Sequence, residues 1–120
     1  MAGQVRLRFS ARGLPDHDPA IGAGTTDAFL RLCVGDGLDW IDCGYETEII
    51  QDDENPDWST TFVLNYDGDN PAFQVTVIDD DSGAEHPVGS MIFWLHDLRA
   101  GVHQADLFPQ GSGLVIVQKF

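Results

Sequence analysis

Residues 5–11 read VRLRFSA, and the alternation in that run decides the architecture: Val5, Leu7, Phe9 and Ala11 are apolar, while Arg6, Arg8 and Ser10 are polar. A two-residue period places successive side chains on opposite faces of an extended chain, so this is a strand with one face in a core and one in water, as in an antiparallel sheet. Working outward, the same reading predicts strands at Ala28–Val34, Tyr45–Ile50, Trp58–Leu64, Phe73–Ile78, Val88–Leu95, Val102–Phe108 and Leu114–Gln118, about eight in all. Between them stand GLPDHDPAIGAG, GDG, QDDENP, DGDNP, DDDSGAEHP and FPQGSG, which supply the Gly, Pro, Asn and Asp of turns. Short strands at this spacing predict an all-β sandwich or barrel. No apolar pattern at i, i+3, i+4, i+7 is sustained, and Leu95–Ala100 has room for one helical turn at most. Trp58, which alternates with Thr60, Phe62 and Leu64, is expected in the core; Trp94, in MIFWL, is expected to be buried and Trp40 to pack. Neither a repeat nor a linker divides the chain, so a single domain over 1–120 is expected.

The chain of 120 residues has 20 acids against 6 Lys plus Arg, a formal charge of −14, with 42% hydrophobic residues to build a core. Sixteen of the acids are Asp, the residue that closes turns and disfavours helix and strand interiors, so the charge is expected in loops. Such a balance argues against nucleic acid, whose phosphates need Lys and Arg to displace counterions, and against simple attraction to an anionic leaflet. A cation is the partner it favours. No apolar stretch approaches the roughly 20 residues of a transmembrane span, and no secretion signal opens the chain. Cys33 and Cys43, the only cysteines, lack zinc spacing and flank the GDG connection. A cross-strand bridge and two free thiols are both open, the first favouring an extracellular compartment and the second a cytosolic one.

Three loops hold most of the Asp: Asp16, Asp18 and Asp27 after the first strand, Asp52 and Asp53 after the third, and Asp79, Asp80 and Asp81 after the fifth. In a Greek-key sandwich those loops can gather at one end. Clustered carboxylates raise one another's pKa and oppose folding unless a cation joins them. Oxygen ligands from flexible loops suit calcium, with its 6–8 ligands, better than octahedral magnesium. In extended chain Asp79 and Asp81 share a side and Asp80 takes the other, so the outer pair are the expected ligands. Asp52 and Asp53 read more simply as a solvated turn.

Four segments together resemble the C2 domain, the calcium-dependent lipid-binding sandwich. LRFSARGLPDHD matches its first strand and loop, TTDAFLRL resembles its S-D-P-Y-V-K-V, ENPDW its N-P-x-W, and VIDDDSG followed by VGS its V-x-D-x-D followed by I-G. The resemblance implies an eight-stranded antiparallel Greek-key β-sandwich. The strand order is similar to the permuted (type II) form, because the chain opens on LRFSARGL and ends on the strand GSGLVIVQKF. It implies calcium ligands at Asp18 and Asp27 from loop one and Asp79 and Asp81 from loop three, with Asp16 competing with Asp18 in a loop about three residues longer than usual. The family's fifth acid falls where this chain reads GAEHP; Glu85 is the candidate substitute, the alternative being loss of a site.

Many relatives carry a lysine-rich patch, used for phosphoinositides, on the strand that here reads YETEII; Glu46 and Glu48 argue against that use. Docking is then expected through calcium bridging to phospholipid headgroups plus apolar loop tips: Pro19, Ala20 and Ile21 in loop one, Pro87 and Val88 in loop three. Burying one side chain such as Ile21 supplies roughly 1.5–3 kcal/mol, too little to hold so acidic a chain on an anionic surface without cations. Catalysis is not expected: His17, His86, His96 and His103 are scattered, no serine lies in GxSxG, and no EF-hand glycine falls in register. The alternatives are a C2 scaffold for a protein partner, and a C2 domain of a larger perforin-like pore-forming protein, which TDAF and NPDW resemble. A cytoplasmic or peripheral membrane setting is favoured, an extracellular one if Cys33 and Cys43 are bridged or the chain is a fragment of a larger protein.

Overall fold

The computed structural model describes residues 3–15, 27–51, 53–66, 71–81, 84–98 and 101–120. Strand β1 (Gly3–Arg12) keeps the alternation of its sequence, with Val5, Leu7, Phe9 and Ala11 buried and Arg6 and Arg8 in water. It is followed by β2 (Ala28–Gly35), β3 (Trp40–Glu46), β4 (Asp57–Tyr66), β5 (Ala72–Asp81) and β6 (Ala84–Trp94). A single 3-10 turn at Leu95–Asp97 then leads to β7 (Gly101–Asp106) and β8 (Leu114–Lys119). The strands form two four-stranded antiparallel sheets, ordered β4-β1-β8-β7 and β3-β2-β5-β6. Among the described residues no helix is long and apolar enough to cross a membrane.

The inner faces meet in one core. Trp58 is fully buried, and Phe9 lies edge-on to Phe62 at 5.9 Å and tilted against Phe93, which stacks on Phe73 at 5.2 Å. Trp94, expected in that core, is 37% exposed. It shares its side of β6 with Ile92, itself half exposed, and its ring tip lies over Gly37, where an added Cβ would come within 2.5 Å of it. Trp94 therefore covers the β2–β3 hairpin from outside the sandwich.

The third strand also departs from expectation, running Trp40–Glu46 rather than Tyr45–Ile50. Thr47 explains the early end: its hydroxyl oxygen accepts the Leu30 N–H at 2.9 Å, while its own N–H donates to the Leu30 carbonyl at 2.9 Å. A side chain thus replaces a backbone acceptor in the ladder, and the chain rejoins β2 only at the Ala28–Ile50 bridge.

Cys33 and Cys43 are bridged across β2 and β3, with their Cα atoms 4.0 Å apart. The register shifts between Leu32 and Val34 where Cys33 sits, so the bridge fastens an edge strand at an irregular point in its ladder. Closing a loop over a separation of 10 residues removes unfolded-chain entropy worth roughly 2–3 kcal/mol. A variant with Cys33→Ser and Cys43→Ser is expected to lose about that much in urea unfolding, and an unchanged midpoint would show that the bridge contributes nothing.

Candidate metal centre

The register of β2 against β5 builds the candidate site. Ala28 lies opposite Asp79, which places the end of loop one beside the start of loop three. The Asp27 N–H donates to Asp79 Oδ1 at 3.0 Å, and the Asp80 N–H donates to the Asp27 carbonyl at 2.8 Å. Asp79 has the parity of Val75 and Val77, so it continues the inward-facing row of β5 and is 7% exposed at the mouth between the sheets. Asp80 faces the other way, opposite Glu85.

The ENPDW segment supplies the second support. Asn55 Oδ1 accepts the Gly13 N–H at 2.9 Å, the Glu54 carbonyl accepts the Leu14 N–H at 3.0 Å, and the Pro56 carbonyl accepts the Ala11 N–H at 2.9 Å. The Trp58 indole, buried between the sheets, donates Nε1–H to the Ala28 carbonyl at 3.1 Å. One five-residue stretch therefore fixes both the departure of loop one from β1 and its return into β2. Sequence reasoning gave Trp58 to the core alone; the second role was visible only as the motif ENPDW, and the hydroxyl of Thr47 left no signal.

The predicted ligands divide. Asp27 and Asp79 are brought together; Asp16 and Asp18 lie outside the described residues, as does the side chain of Asp81, whose backbone ends β5. Glu85 is directed elsewhere: it pairs with Arg31 at 3.2 Å on the outer face, across from Asp80 and not on the side of Asp79. Among the described residues no group of three or more His, Cys, Asp or Glu side chains is gathered as a metal site. Of the predicted lipid contacts, Pro19, Ala20 and Ile21 lie outside the described residues, and Pro87 is exposed within β6. Val88 is not at a loop tip. The register shifts between Val77 and Ile78, leaving Val88 as the extra residue of a β-bulge that turns it into the core, 6% exposed.

The C2 domain family model matches residues 4–109, nearly the whole chain. The chain belongs to the C2 domain family. A solved structure described as a C2 domain is 22% identical at a TM-score of 0.66, covering 97% of this chain and 96% of its own. The calcium-bound C2A and C2B domains of extended-synaptotagmin 2 match at 15% identity and a TM-score of 0.71, over 98% of this chain and 45% of that one. Human GIVD cytosolic phospholipase A2, in complex with an inhibitor and terbium chloride, matches at 16% and 0.70, over 99% of this chain and 18% of that one. Comparison with curated protein sequences gives no match.

In this C2 domain the acids of the third strand and its exit are committed. Glu46 accepts from Arg31 at 2.7 Å, and Arg31 also reaches Glu85 and lies over the Phe29 ring at 5.7 Å. The hydrogen bonds that Arg31 donates to Glu46 and then to Glu85 raise its pKa further. Glu48 spans to β4, where the Ser59 N–H donates to it at 2.7 Å and the Thr60 hydroxyl at 2.7 Å, joined by the Ser59 hydroxyl. Partial burial opposes its ionisation, but the hydrogen bonds from Ser59 and Thr60 together outweigh it and bring its pKa from 4.5 down to about 2. A carboxylate whose pKa falls on folding adds stability above its unfolded-state pKa and gives it up as pH drops through the folded one. Glu48→Gln is expected to cost about 1 kcal/mol at pH 7 for so solvent-screened a group. The gap from wild type should close between pH 4.5 and about 2 in thermal unfolding; a gap independent of pH would contradict this origin.

Proposed function

We propose that this C2 domain is a non-catalytic module that binds calcium at the end where loops one and three meet, and docks through it on phospholipid. The supporting observation is the juncture of Asp27 and Asp79, with Asp79 buried, facing inward and, among the described residues, forming no ion pair. A buried carboxylate without a cationic neighbour is costly unless a cation reaches it, and hard oxygen donors suit calcium. Asp79 and Asp27 are the ligands this reading places first, with Asp81, Asp18 and Asp16 the remaining candidates on the same loops. When bound, the ion supplies the positive charge that an acidic chain needs in order to meet a phosphate headgroup. The bridge between Cys33 and Cys43 favours use in an oxidising compartment over a reducing one.

Thermal unfolding with calcium, against magnesium at matched ionic strength, tests the site. At about 100 times its Kd a ligand specific for the folded state adds roughly 2.7 kcal/mol, a shift of several degrees. Calcium alone is expected to give that shift, and the double variant Asp79→Asn with Asp81→Asn to abolish it. An equal calcium shift in the double variant would remove these ligands, and no shift in wild type would favour a protein-binding scaffold. Sedimentation with phospholipid vesicles, with and without calcium, then tests docking.

A further inference from the structure

The turn between β7 and β8 reaches the same end of the molecule as loop one. Arg12 pairs with Leu114, and Asp106 with the same residue from the other side, so the turn at residues 107–113 stands beside the point where loop one leaves β1. Gly113 lies against the Arg12 and Gly13 carbonyls, where a Cβ would come within 2.6 Å, and its φ of +94° suits glycine. The turn is held firmly. The Phe108 N–H donates to the Ser90 carbonyl at 2.8 Å, the Ser90 N–H donates to the Phe108 carbonyl at 2.9 Å, and the Leu107 N–H donates to the Gly113 carbonyl at 2.9 Å. Leu107 and Ser112 are buried at its two sides, yet Phe108 is 77% exposed and Pro109 beside it is exposed too.

A single exposed apolar side chain is ordinary on a protein surface. Phe108 differs in that its backbone is fixed through both polar groups, so the ring has no inward alternative, and in what lies beside it. With Leu114, Arg12, Asp106 and the glycines of the turn, Phe108 walls an open hollow of about 660 Å³. An exposed aromatic wall over an aliphatic floor matches the acyl layer of a phospholipid surface, while the Arg12 guanidinium beside it is already held by Asp57 at 2.8 Å.

We propose that the β7–β8 turn is a further membrane-contacting element, with Phe108 and Pro109 entering the headgroup layer alongside loops one and three. This rests on the docking reading above. Through Thr76–Ser90 pairing and the Ser90–Phe108 bridge, Phe108 is level with Thr76, three residues or about 10 Å back from Asp79. The ring therefore reaches lipid only if the sandwich leans toward its β6–β7 edge, which fixes the sense of tilt of the docked domain.

Vesicles of phosphatidylserine and phosphatidylcholine, with calcium, provide the test. Phe108→Ala is expected to bind about tenfold more weakly with an unchanged calcium-dependent melting shift, while Val102→Ala, exposed at the far end of β7, binds as wild type. Phe108→Trp is expected to add fluorescence quenched by brominated acyl chains beyond the wild-type signal. If wild type binds and the Phe108 variants neither weaken nor report quenching, the turn stays in water and the inference falls while docking stands. If wild type does not bind at all, the docking reading falls and this one with it.

Discussion

The register of β2 on β5 is the constraint on which the rest of this C2 domain depends. With Ala28 opposite Asp79, the Asp27 amide meets the Asp79 carboxylate, and the Asp80 amide meets the Asp27 carbonyl. A slip of one residue would exchange the faces of β5, sending Val75, Val77 and Asp79 outward and bringing Thr76, Ile78 and Asp80 in. Core and candidate site would fail together. The buried Trp58 reinforces the same register from the opposing sheet through its bond to the Ala28 carbonyl, so the two sheets are keyed to each other at the end where chemistry is expected.

Most of the fold was legible because it is written in a two-residue period. Seven of the eight expected strands overlie observed ones and the third is displaced toward the N-terminus, while the alternation in β1 translates directly into buried and exposed rows. Most failures fall where that period is broken by something other than a turn residue. Val88 lies in β6, whose bulge is set by pairing with β5 and leaves no mark in the local pattern, whereas Trp94 follows the regular alternation and faces out with Ile92 while Phe93 and Leu95 face in. The end of β3 depends on one hydroxyl, that of Thr47, taking over a backbone role. For the site, residue types and their loops are legible in the sequence, and the structure adds which side of the strand Asp79, Asp80 and Glu85 face. Glu85 was a sound candidate by spacing, yet Arg31 claims it on the outer face.

The arrangement around Arg31 also bears on how such a domain can meet a surface. A lysine patch on this sheet would attract anionic headgroups to its side. Here the lone arginine of β2 is enclosed by Glu46 and Glu85 and rests on Phe29, so its charge is spent within the sheet. In the docking proposed above, attraction to an anionic layer therefore falls to the loop end, where a bound cation would reverse the local sign.

The excess of Asp overstates the number of carboxylates open to such a cation, because several are consumed in closing turns. Asp36 Oδ1 accepts the Leu38 and Asp39 amides, which lower its pKa, while Asp42 accepts from Gly44 and Asp53 from Asn55. Asp57 is held by Arg12. Each of these acids has a backbone or arginine donor beside it; Asp36 and Asp53 lie in loops and Asp57 opens β4, as composition assigned to Asp, while Asp42 lies within β3. Asp79 is of another kind. Its carboxylate stands at the end of an apolar row and, among the described residues, takes the amide N–H of Asp27 from a different loop. That difference in surroundings, more than the total charge of −14, singles out Asp79 among the described acids as the candidate for a cation.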